Sequence, residues 1–211
     1  MGRSRSVWLF FSLVAVLLHS AIDDLSPGPF SLPAPVANAP ASRSGRAPLA
    51  PDPGADLLAT RRLVVPVQGV PRAKLRNNFE ETRGKGRIHK ALDIMAPWGT
   101  PVLAADDGRI VKISSNRAGG LALYTTDESG HLVYYYAHLA GYADGLREGQ
   151  AVRRGDVVGY VGTTGNAPDS APHLHFAVQY VSTQGRWWKG DIVNPYAALT
   201  QADGDVVAAR P

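Results

Sequence analysis

The chain is predicted to fold as a mostly β domain, a compact antiparallel sheet with barrel and sandwich character, behind a disordered N-terminal tether. Three observations predict it. Short apolar runs rich in β-branched and aromatic residues recur at close spacing from Leu63 onward. Turn signals at Asp107-Gly108, Gly119-Gly120, Ser129-Gly130, Arg154-Gly155 and Gln184-Gly185 punctuate them. Helical periodicity hardly appears.

The N-terminus opens on a basic segment, MGRSRS, followed by twelve mostly apolar residues at 7–18 and then His19, Ser20 and Ala21. That order of charge, apolar core and small residues reads as a signal peptide or short anchor over 1–21. Its apolar core is short of the roughly 20 residues a membrane-spanning helix needs. Residues 22–62 form a Pro/Ala-rich linker; they hold Pro27, Pro29, Pro33, Pro35, Pro40, Pro48, Pro51 and Pro53 and few large apolar side chains. Such a stretch buries too little surface to offset its ordering entropy, so a disordered tether is expected, with a short helical turn over 56–62.

The folded domain is expected over 63–200, with a tail at 201–211. Its strand candidates are 63–67, 101–104, 109–113, 121–125, 131–136, 157–161 and 173–181. Helical turns are expected around 139–146 and 195–199. The glycines at 159, 162 and 165 superficially resemble a nucleotide loop, but Asn166-Ala167-Pro168 denies the helix such a loop must open, so a turn is expected. Gly84-Lys85-Gly86 lacks the spacing of a phosphate-binding loop.

Composition narrows the chemistry. The 22 Lys and Arg stand against 18 Asp and Glu. Removing the leader with Arg3 and Arg5 leaves 20 against 18, too even a balance to argue for nucleic acid. With no cysteine, disulfides, thiolate zinc sites and a Cys nucleophile are excluded, leaving His, Asp and Glu as metal ligands.

Five histidines lie outside the leader. His173 and His175 flank Leu174 in an apolar run, and two residues apart on a strand places both on one face. Upstream, RIHKALD puts His89 four residues before Asp93, on a helical face or on a loop running into a strand; Pro97 and the β-rich continuation favour the loop. His89, Asp93 and one member of the later pair make three ligands for a catalytic zinc. His138, at the end of a strand, would add a free imidazole able to move protons near neutral pH. His131 is read as an exposed turn residue.

Taken in order, HKALD at 89–93, YAHL at 136–139, GDVVGYVG at 155–162 and HLH at 173–175 resemble the LytM/lysostaphin-type zinc metalloendopeptidases that cut peptide cross-links in bacterial peptidoglycan. The similarity spans about 63–199. It implies that family's compact antiparallel β architecture, with Zn2+ on His89, Asp93 and His175, and with His173 and His138 in proton transfer and oxyanion stabilisation. Some members carry a tyrosine on the loop before the first ligand. Here that loop reads EETRGK at 80–85, leaving Arg83 or Lys85 as electrostatic contacts.

The expected protein is thus a monomer exported to the periplasm or cell envelope, with secretion as the alternative. Its partner is the stem peptides or cross-bridges of peptidoglycan, with no nucleic acid and no membrane after leader cleavage. The scissile bond is left open between D-alanine–diaminopimelate and a glycine bridge. A rival is a regulator that activates other wall hydrolases without cutting; such domains lose ligands, and this chain keeps them all. A third reading is a carbohydrate-binding wall module built on Trp187 and Trp188, which otherwise pack as a loop. Asn166 and Ser170 either contact substrate backbone or serve as turn residues.

Overall fold

A computed structural model describes residues 52–201. The leader, most of the linker and residues 202–211 lie outside the described residues. A helix, α1 (Pro53–Ala59), comes first. It starts where the Asp52 carboxylate accepts the N–H groups of Gly54 and Ala55 at 3.0 and 3.1 Å, with Pro53 in the first turn. Leu58 of this helix is buried in the domain core. Packed structure therefore begins inside the expected linker, because a capped apolar turn and Leu58 give residues 53–62 something to bury.

Residues 63–67 do not form the expected strand. Pro66 withholds a ladder N–H, and the segment is held by single contacts, Val64 N–H to Ala105 O at 3.1 Å and an isolated bridge from Val67 to Val102. Leu63 and Val67 still fill the core. A small hairpin follows, β1 (Thr82–Arg83) and β2 (Arg87–Ile88), turning through Lys85 at φ 62°.

The main sheet is built from β3 (Leu92–Met95), β4 (Pro101–Leu103), β5 (Gly108–Asn116), β6 (Gly120–Asp127), β7 (Leu132–Tyr142), β8 (Ala151–Val152), β9 (Val157–Val161), β10 (His173–Tyr180) and β11 (Asp191–Val193). Its order is β11-β10-β7-β6-β5-β8, and every pairing is antiparallel. On one edge of β10, β3 pairs with its first half and β11 with its second. The outer end of β7 turns to pair with β9, which carries β4. Where a helical turn was expected around 139–146, β7 instead continues to Tyr142, because Leu139, Gly141 and Tyr142 find partners on β9.

The core lies on one face of this sheet. Leu174, Phe176 and Val178 of β10 alternate into it with Tyr134 and Tyr136 of β7. The Tyr136 hydroxyl accepts the Ala105 N–H at 2.9 Å, so a buried polar atom is satisfied. The glycine series at 159, 162 and 165 is not simply a turn. Gly159 lies within β9, Gly162 bridges to His173, and only Gly165 turns, at φ 80°. Chain closure comes from α2 (Tyr196–Thr200), which buries Ala198 and Leu199 where a helical turn was expected. Among the described residues, no helix is long and apolar enough to cross a membrane.

Candidate metal centre and cleft

Alternation along β10 decides which side chains reach the cleft. With Leu174 and Phe176 in the core, His173 and His175 emerge on the opposite face. Register then brings in the upstream pair: His175 stands opposite Asp93 of β3, and opposite Ala137 of β7 on its other side. His89 follows β2 on a short loop running into β3, its N–H bonded to Glu81 O at 2.9 Å.

Three donor atoms converge. His89 Nε2 lies 2.9 Å from Asp93 Oδ1 and 3.1 Å from His175 Nδ1, and His175 Nδ1 lies 3.1 Å from Asp93 Oδ1. Among the described residues these three form the His/Asp/Glu group able to hold a metal ion. His89 Nδ1 lies 3.0 Å from both the Asn78 carbonyl and Arg83 Nη2; the carbonyl accepts only from a protonated Nδ1, and in that tautomer Nε2 is a bare lone pair. A lone pair facing a carboxylate oxygen at 2.9 Å is repulsive unless a cation or proton stands between them. A tetrahedral site with bonds of about 2.0–2.1 Å has donor edges of roughly 3.3 Å. The observed triangle therefore fits a small divalent cation on two nitrogens and one oxygen.

The carboxylate is prepared for that role. Burial alone would raise the Asp93 carboxyl, but the His175, His89 and His173 rings gathered around it hold it well below the usual carboxylate range. Its second oxygen, Oδ2, accepts Arg83 Nη2 at 2.8 Å, so Oδ1 alone is turned to the histidines. Arg83 is the electrostatic contact expected from that loop, and it also meets Glu81 at 3.2 Å. Lys85 sits exposed in the hairpin turn.

The other two imidazoles stand beside the triangle. His173 is buried, its Nδ1 lies 2.8 Å from Ala171 O, and its Nε2 is 3.7 Å from Asp93 Oδ1. His138 is also buried, with Nδ1 2.8 Å from Thr164 O. Ring centroids are 5.0 Å apart between His138 and His173, and 5.5 Å between His138 and His175. Burial holds the His138 ring down at about 4; the neighbouring His175 and His173 add to this, against the Thr164 hydrogen bond and the Asp93 charge. All five sequence-derived site residues thus meet in one cleft of about 650 Å³.

Several contributors escaped sequence reasoning. Tyr135 lines the cleft and meets the His175 ring edge-on, centroids 6.1 Å apart. The signal was present in period two, since Tyr135 alternates with Ala137 on the His175 face. The Asn78 and Thr164 carbonyls that meet the ring nitrogens of His89 and His138 leave no trace in composition. Arg87 and Asn166 line the cleft, whereas Ser170 lies outside that lining. His131 is not an exposed turn residue: its ring bonds Val181 O at 2.7 Å and stacks on Tyr180, because the turn folds back onto the end of β10.

The family model for peptidase family M23 matches residues 87–195, which include every residue described above as a donor or free imidazole. The L-Ala--D-Glu endopeptidase of Bacillus subtilis is 34% identical over 119 residues, covering 53% of this chain and 36% of that protein. The DD-carboxypeptidase/endopeptidase Mpg of Neisseria meningitidis serogroup B is 35% identical over 131 residues, covering 59% of this chain and 27% of its own length. The matched segment therefore spans about a third or less of those relatives. Among solved structures, Csd3 of Helicobacter pylori aligns with a TM-score of 0.51 at 26% identity, over 66% of this chain and 35% of that one. The mostly β fold is that of M23 peptidase domains, and the chain belongs to peptidase family M23, the LytM/lysostaphin type.

Proposed function

We propose that this chain is an exported zinc metalloendopeptidase that hydrolyses peptide bonds of peptidoglycan in the periplasm or cell envelope, acting as a monomer. One observation carries the reading: a His-Asp-His donor triangle with edges of 2.9–3.1 Å shares a cleft with two further imidazoles. Zinc, when bound by His89, Asp93 and His175, supplies Lewis acidity that polarises the scissile carbonyl and lowers the pKa of water.

The chain's own residues do the rest. With its Nδ1 proton donated to Ala171 O, His173 presents Nε2 as a lone pair next to Asp93 and takes the first proton from the attacking water. Once protonated, it returns that proton to the leaving amine. His138, neutral and with its N–H spent on Thr164 O, has no proton for an oxyanion. We therefore assign it as second acceptor, orienting the same water, rather than as oxyanion donor. Arg83 fixes the Asp93 carboxylate so that one oxygen faces the cation.

The complete donor set supports this reading over a non-cutting regulator. The relatives are named for different bonds, L-Ala–D-Glu in one and DD linkages in another, so the substrate class assigned is the peptide part of peptidoglycan. Purified protein with one zinc per chain should release peptides or consume cross-linked dimers when incubated with sacculi, read by mass spectrometry of muropeptides. An unchanged muropeptide profile with zinc bound would overturn the proposal. If a His175→Ala variant fully replaced the wild type in cells, the regulator would be the correct reading.

A further inference from the structure

The loop between β10 and β11 carries two adjacent indoles that the metal chemistry does not use. Trp187 is half-buried with its ring 5.0 Å from Tyr124; Tyr124 lies 4.5 Å from Tyr135, and Tyr135 lies 6.1 Å from His175. Trp188 meets Trp187 edge-on at 5.7 Å and 85°, and is 65% exposed. A continuous run of rings thus leads from solvent to the metal donors.

The loop that carries it is pinned. Gln179, on the His175 face of β10, donates its side-chain N–H to Trp187 O at 2.8 Å; Gln184 donates to Ser129 O at 2.7 Å; the Lys189 N–H closes a turn on Arg186 O at 2.9 Å. The fold therefore holds the backbone on either side of Trp188 while leaving most of its side chain to water.

We infer that Trp188, backed by Trp187, is a stacking platform for an amino-sugar ring of the glycan strand whose peptide occupies the cleft. The inference rests on the proposed function and extends it from the peptide to the sugar. A pyranose presents one face of C–H groups, partly positive, which suits the negative face of an exposed indole. Arg186 and Lys189, both exposed beside it, offer donors to hydroxyl and acetamido oxygens at the rim. Reach agrees as well. Extended peptide spans about 3.3–3.6 Å per residue, and the ring steps from His175 to Trp188, 6.1, 4.5, 5.0 and 5.7 Å, put the platform within about six residues of the metal donors. Because sugar and peptide are covalently joined in this substrate, a weak sugar contact raises the effective concentration of the peptide at the cleft. A lipid surface fits less well, since it asks for several apolar side chains together. Trp188 is the single exposed large apolar residue of this loop.

The test uses the full chain under chelation, so that nothing is cut, titrated with an N-acetylglucosamine oligosaccharide and followed by tryptophan fluorescence. Saturable binding is expected, weakened about tenfold in Trp188→Ala and retained in Trp188→Tyr, which keeps a flat ring. With zinc restored, the ratio of kcat/KM on sacculi to kcat/KM on a sugar-free peptide should fall about tenfold in Trp188→Ala. Absent oligosaccharide binding, or equal binding by wild type and Trp188→Ala, would overturn the inference. So would a Trp188 dependence seen only on anionic phospholipid vesicles. The oligosaccharide titration needs no cleavage, so sugar binding without any change in muropeptides would count against the peptidase reading and leave the platform standing.

Discussion

His138 sits in left-handed backbone at φ 62°, a conformation a non-glycine residue enters at a cost of about 1–2 kcal/mol. The cause is a β-bulge. Leu121 pairs with Leu139 and Leu123 with Tyr136, so two residues of β7 stand against one of β6. In an unbroken strand His138 would follow Tyr134 and Tyr136 into the core; the extra residue turns it to the cleft and restores Leu139 to the core. Asparagine tolerates the same backbone and lacks the ring. His138→Asn should therefore keep the cooperative melt and bind zinc as the wild type does, while kcat on a peptidoglycan peptide falls about 10²–10⁴-fold. Calorimetry with single-turnover kinetics checks both halves, and a variant with undiminished kcat would remove His138 from the chemistry. This also shows where site reading from sequence ends. The spacing of His173 and His175 is local and survives into the structure as two rings beside Asp93. The aim of His138 depends on a bulge formed against another strand, and no run of YAHL can announce it.

At the scale of elements, β10 organises the site because three strands read their register from it. Its residues 173–176 hold β3, which delivers Asp93, and its residues 175–180 hold β7, which delivers Tyr135 and the bulge. The strand was legible because its apolar alternation is unbroken. By contrast, residues 63–67 look equally apolar, yet Pro66 and neighbouring segments leave them outside the ladder, a tertiary outcome that composition does not carry. Gly162 belongs to the same structure, bridging to His173 where the end of β9 passes β7. A Cβ there would lie 2.4 Å from Ala140 N and 2.8 Å from His138 O, both backbone atoms that cannot swing aside. Gly162→Ala must push the two strands apart, at a cost of about 1–3 kcal/mol, the usual range for overpacking. Denaturant unfolding reads the loss, and the displaced His138 and His173 should lower activity in the protein that remains folded. Wild-type stability in this variant would mean that the close approach of the strands is not tight.

For the whole molecule, the segment ahead of the expected domain start is part of its stability. Leu58 is 2% exposed, and complete burial of a leucine contributes about 1.5–3 kcal/mol. Arg61 reaches back to Asp127, whose carboxylate is fully buried at the end of β6 and also accepts Ser129 Oγ and the N–H groups of His131 and Leu132 at 2.5, 3.0 and 2.9 Å. Removing one member of a buried ion pair costs about 3–5 kcal/mol. Three remaining donors and the partial exposure of Arg61 put this case toward the lower end. Against a total stability of about 5–15 kcal/mol for an ordinary domain, losing both contacts is a large fraction. A chain shortened to begin at Leu63 should therefore melt well below one beginning at Asp52, by about 10–20 °C at roughly 2–4 °C per kcal/mol for a domain of this size. Within the full chain, Arg61→Met separates the two contributions, since it keeps Leu58 in place and removes only the guanidinium. Its melting point should fall between the other two. If the shortened chain and the longer one melted together, the helix and Arg61 would be passengers on a domain that is stable without them.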